Sequence, residues 1–146
     1  MTPETASRRR ASPVRLTLAR ELGQGIDGAW WPHTVRIAAE LPDLLAVMGS
    51  RLGDISGINV NWTSLQYPPD LNWVGWRGKQ QHVIHISGSS AEARLLVVPH
   101  TTNSALAKMV LRRAAQMPID PAHRETSPYA LAGSIVDAAR AQVASS

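Results

Sequence analysis

Residues 20–34 read RELGQGIDGAWWPHT, with glycines at 23, 25 and 28 spaced as G-x-G-x-x-G and two adjacent tryptophans before a proline. That spacing marks a dinucleotide-binding turn where a strand passes straight into a helix, so that a pyrophosphate rests on free amides. Here Gly28 is followed by Ala29-Trp30-Trp31-Pro32, which delays any helix by several residues. Trp31 stands before a proline, which favours extended backbone. The following strand should end on an acidic ribose-binding residue, yet it reads Asn59-Val60-Asn61-Trp62. Both tests of context fail. The stretch reads as a structural corner built from Asp27, Gly28, Trp30, Trp31 and Pro32, and no cofactor is expected. Asp27-Gly28 suits a tight turn in which the carboxylate accepts local amides. Neighbouring residues of extended chain point to opposite sides, so Trp30 and Trp31 cannot share one pocket. Core packing of both is the expectation, with one of them anchoring the corner.

Before the corner, Val14, Leu16 and Leu18 alternate with Arg15, Thr17 and Ala19, the period of a half-buried strand. After it, Val35, Ala38, Ala39, Leu41, Leu45, Met48 and Leu52 have helical spacing. Pro42 removes an amide there and predicts a kinked helix, or two short ones broken near Leu41. Further strands are expected over Ile55 to Thr63, Asn72 to Arg77, Gln81 to Ser87 and Ala93 to Val98, with turns at Gly78-Lys79 and Gly88-Ser89-Ser90. Pro68-Pro69 makes the intervening stretch a loop. Thr102 or Asn103 can cap a helix running to about Gln116, and Ser127-Pro128 opens a last helix of about 128–144. Short-linked strands with helices set apart predict a single α+β domain over 14–146. Its mostly antiparallel sheet should hold four or five strands, with helices packed on one face.

The 146 residues suffice for one core. Phe and Cys are absent while Trp occurs five times, so thiol chemistry and disulfides are excluded. Of the 15 basic residues 13 are Arg, which suits phosphate but follows equally from the codon usage of a GC-rich genome. Arg8, Arg9 and Arg10 stand in a polar, proline-containing segment, 1–13, which reads as a flexible tail. They are followed by Ala11-Ser12-Pro13 and not by an apolar run, so an export signal is not expected. No apolar run approaches a membrane span. The expected setting is cytoplasmic, with no membrane partner.

Other residues invite chemistry. His82 and His85 are three apart on a strand and face opposite sides, so they cannot chelate one ion, and no metal is expected. Ser87, Ser89 and Ser90 near His85 lie in a hairpin turn, with no G-x-S-x-G elbow. No catalytic residue is therefore assigned. The weak small-anion candidates are His100, Thr101, Thr102, Asn103 and Ser104, at a strand end leading into a helix start, where plain capping is the competing account. Arg8 to Arg10, Arg77, Lys79, Arg112 and Arg113, with Trp73 and Trp76, are weak candidates for RNA contact, without any RNA-binding signature.

Asp27-Gly28-Ala29-Trp30-Trp31-Pro32 is the most specific element of a resemblance that includes Arg15 to Leu18, Ala38 to Pro42, Ile58 to Trp62 and Leu95 to Pro99. Over roughly residues 14 to 116 the chain resembles an actinobacterial family of small uncharacterised domains. The resemblance implies a source and a localisation, not a reaction. The leading expectation is a non-catalytic binding module whose partner is a protein or a second copy. Its surfaces would be the tryptophan-rich middle and the terminal stripe Leu131, Ile135, Ala139 and Val143. An RNA- or ribosome-associated factor comes second, and a small-anion binder or small enzyme third.

Overall fold

Alternating side chains on five short strands divide the apolar residues between two cores. The computed structural model describes residues 14–23, 25–34, 36–60, 71–72 and 81–145. Along these run β1 (Leu16–Leu18), β2 (Gly28–Trp30), α1 (Ile37–Leu52), β3 (Ile55–Asn59), β4 (Val83–Gly88) and β5 (Glu92–Val97). Then come α2 (Ser104–Ala114), a 3-10 turn (Pro121–His123) and α3 (Ser127–Ser145). The strands form one sheet in the order β1-β2-β5-β4-β3. Every neighbouring pair is antiparallel except β2 and β5, which are parallel. The α+β class and the mostly antiparallel sheet expected from the sequence are what the chain forms. The tail 1–13, the expected strand over Asn72 to Arg77, and Trp62, Trp73 and Trp76 lie outside the described residues, apart from Asn72 itself.

Helices cover both faces of this sheet, not one as the sequence suggested. On the first face Trp30, Leu95, Val97, Ile84 and Ile86 pack with Ile37, Leu44, Met48 and Leu52 of α1. On the second, Ala29, Trp31, Leu96 and Val98 pack with α2 and α3. The cause lies in Leu95-Leu96-Val97-Val98, all within 4% of full burial. A strand apolar at consecutive positions must be covered on both sides. The two tryptophans divide in the same way, Trp30 at 2% exposure in one core and Trp31 at 6% in the other.

The corner is itself a strand. Gly28 pairs with Leu18 of β1 and Leu95 of β5, and a Cβ there would run into the carbonyl of Thr17. Gly23 and Gly25 have φ of +94° and +97°, a region that favours glycine. No dinucleotide turn forms, because the helix starts only at Ile37. Pro42 lies inside α1 without dividing it into two helices. Placed in the second turn it removes a single backbone bond, while Leu44, Met48 and Leu52 stay fully buried.

At its far end α2 closes in a Schellman arrangement. Met117 N–H donates to Arg112 O at 2.9 Å and Gln116 N–H to Arg113 O at 3.2 Å. Gln116 takes the left-handed position, φ 57°, where glycine is usual. The chain then turns back, and α3 docks along α2. Ala132, Ile135, Val136 and Ala139 of α3 are at most 1% exposed. Near its end the Gln142 side chain accepts from Gln81 N–H at 2.7 Å and donates to Gln81 O at 2.8 Å. The stripe on which self-association rested is thus taken up within the chain.

Candidate functional site

The candidates among the described residues have places in this frame, and the contacts of the corner are those of a structural element. Asp27, 1% exposed, accepts from Gly23 N–H at 2.7 Å and from Arg94 N–H at 2.9 Å. Its carboxylate thereby joins the β1–β2 connection to β5. Arg15 lies over the Trp31 ring, 3.6 Å from the centroid, and donates to Trp31 O at 3.0 Å and Pro32 O at 2.7 Å. Pro32 is buried. Partial burial pulls the Arg15 guanidinium below its ordinary range, and the Glu40 carboxylate opposes that shift. Glu40 in turn accepts from His33 N–H and Thr34 N–H, each at 2.7 Å, and holds the chain entering α1.

Within the segment 100–104, Asn103 caps the helix that follows. Asn103 Oδ1 accepts from Leu106 N–H at 3.1 Å. Asn72 brackets the loop, accepting from Asn103 N–H at 2.7 Å and donating to Thr101 O at 3.0 Å. His100 is half-buried, Thr101 and Ser104 are exposed, and Thr102 is buried at 4% exposure. Of these five residues Asn103 caps the helix, while Thr102 Oγ1 is buried without a hydrogen-bond partner among the described residues.

The two strand histidines separate. His82 is 5% exposed, and burial pushes its imidazole below the ordinary value of 6.5. His85 Nε2 lies 3.2 Å from Glu92 Oε1, because the β4–β5 hairpin brings that carboxylate back across the turn. Among the described residues no three metal-ligating side chains come together.

Of the basic candidates, Arg8, Arg9, Arg10, Arg77 and Lys79 lie outside the described residues. Arg112 and Arg113 end α2 side by side but line different cavities. Arg112 borders a groove of about 560 Å³ between α2 and the segment leading to α3. Met109, Ile119 and Pro128 give it an apolar base, and the exposed side chains of Lys108, Arg112 and His123 give it a cationic margin. Asp120 is the carboxylate among its lining residues, and its Oδ1 accepts from Ala122 N–H at 2.9 Å to cap the 3-10 turn. Arg113 instead lines a smaller cavity of about 290 Å³ with Arg124 and Arg140. A further cavity, about 590 Å³, opens beside the end of β1, where Arg20 and Glu21 offset each other's charge.

These hollows surround the Ala115 to Asp120 turn. Lys108, His123, Arg124 and Arg140 were not singled out from the sequence as site residues. Lys108 and Arg112 share a helix face at i and i+4, which was a legible signal. That His123 would join them, and that Arg124 and Arg140 would join Arg113, depends on the return of the chain into α3, which no local pattern reveals.

A family described as a family of unknown function (DUF5994) matches over residues 15–114. The match ends where α2 ends, so the return segment and α3 lie beyond it. No curated protein and no solved structure matches the chain. No helix of the described residues is long and apolar enough to cross a membrane.

Proposed function

We propose, for a chain that belongs to this family of unknown function, a non-catalytic binding role in the cytoplasm, with a small anionic organic molecule as ligand. One observation carries the reading. The 560 Å³ groove combines an apolar base of Met109, Ile119 and Pro128 with a margin of Lys108, Arg112 and His123. Hollows of this size, mostly apolar with a few placed polar groups, are what small-molecule sites are made of. Two of the three margin groups carry a fixed positive charge at neutral pH, which selects an anion. The burial of Trp30 and Trp31 in the two cores takes them away from any binding surface. The cis docking of α3 does the same for its apolar stripe. Five of the nine residues lining the groove lie beyond the family match, so the reading applies to this chain and not to the family as a whole.

Thermal unfolding of the full chain, at constant ionic strength, against medium-chain carboxylates and aryl phosphates tests it. A ligand at about a hundred times its Kd stabilises by about 2.7 kcal/mol. At least one such anion should raise Tm, and Lys108→Ala or Arg112→Ala should remove the rise. No rise with any of them, or an equal rise in the Lys108→Ala/Arg112→Ala double variant, would overturn the reading.

A further inference from the structure

The smaller cavity, on the other side of the return segment, has a different character. We infer that Arg113, Arg124 and Arg140 form a site for a phosphate-class oxyanion, independent of the groove proposed above. All three arginines line one hollow of about 290 Å³, and none of its lining residues is acidic. Among the described residues no ion pair involves any of the three. Arginine cannot shed its charge under these conditions, so three residues of fixed positive charge border one small space.

Arg113 is held in position. The Arg113 guanidinium lies 4.1 Å from the centroid of the Tyr129 ring and donates from Nη1 to Tyr129 O at 3.2 Å. It also rests on Gly133, where a Cβ would stand 2.9 Å from Nη1. Any larger residue at 133 would press directly on that guanidinium. Positions 129, 133, 136 and 140 share one face of α3, which brings Arg140 along the same line. Arg140 Nη2 is buried and has no hydrogen-bond partner among the described residues. A buried donor left without a partner is costly, more so when charged. Arg124 is exposed and lines the hollow from the return segment.

An oxyanion resolves these conditions together. It offsets the clustered positive charge and matches the planar forks of several arginines at once. Small-molecule pockets run upward from about 300 Å³, so this hollow suits an ion or a single phosphoryl group better than a whole cofactor. The ligand is then either free phosphate or the phosphoryl end of a small ester.

Titration calorimetry of the full chain with inorganic phosphate, and separately with glycerol phosphate, tests the assignment with chloride holding ionic strength constant. Saturable binding at one site per chain is expected. Equal binding of both would mean that the phosphoryl group alone is read. Binding of the ester only would place that group on a larger ligand. Arg124→Gln, at an exposed position that leaves the packing intact, should weaken binding about tenfold or more. Arg140→Lys, which keeps a positive charge, should weaken it as well because the fork is lost. Lys108→Ala, in the separate groove, should leave it unchanged. No saturable heat beyond that of chloride, or unaltered affinity in Arg124→Gln with a native circular dichroism spectrum, would overturn the inference.

Discussion

Trp30 and Trp31 adjoin in the chain, yet each ends in a different core, and that division gives the corner its structural weight. With exposures of 2% and 6%, neither is a surface residue. Truncating a buried tryptophan removes packing and leaves a cavity, at a cost of about 3–5 kcal/mol. Trp30→Ala and Trp31→Ala should therefore each lower stability by an amount in this range, read as a fall in the urea midpoint. A loss in only one of them would restore the single-anchor picture that the sequence also allowed. His82 gives the molecule a pH dependence. Its folded pKa lies below the ordinary 6.5 because burial penalises the charged ring. The unfolded chain thus takes up the proton first, and stability falls as pH drops from about 6.5 towards the lower folded value. Above that window both states are neutral and the contribution is flat. His82→Gln should flatten the slope that urea unfolding measures between neutral and mildly acidic pH. An unchanged slope would show that His82 does not set it.

At the scale of elements, α3 decides what surfaces remain. It covers α2 with Ala132, Ile135, Val136 and Ala139, and Gln142 ties its end to Gln81. Isolated helices of this length are marginal in water, so α3 owes its order to that docking. A chain ending at Pro118 should expose the outer side of α2 and either unfold or aggregate, whereas the full chain should sediment as a monomer. A folded, monomeric truncated chain would contradict the docking. Alternation and capping made most of these elements legible: Leu16 and Leu18 announced β1, Ser104 to Ala114 followed a visible cap, and α3 began within one residue of Ser127-Pro128. What escaped was β2, because three residues, one of them glycine, show no periodicity and are held by partners distant in sequence. Pro42 suggested a break that its early position in α1 spares.

For the molecule as a whole, one strand buried on both faces produces a layered arrangement: α1, the sheet, then α2 with α3. Leu95 to Val98 carried that information as an unbroken apolar run. The candidate site was less legible still. Arg112 and Arg113 stood out as a pair, yet they serve different hollows, and their companions arrive only through the return of α3. The loop 100–104, attractive for its hydroxyls, caps α2 through Asn103. The central claim is that the groove beside α2 holds a small anionic molecule. Native mass spectrometry of the full chain, isolated from its own cells without denaturation, tests this most directly. The account predicts a non-covalent adduct of an acidic small molecule, retained in Arg124→Gln and lost in Arg112→Ala. A spectrum of the bare chain alone, or an adduct indifferent to Arg112, would contradict it.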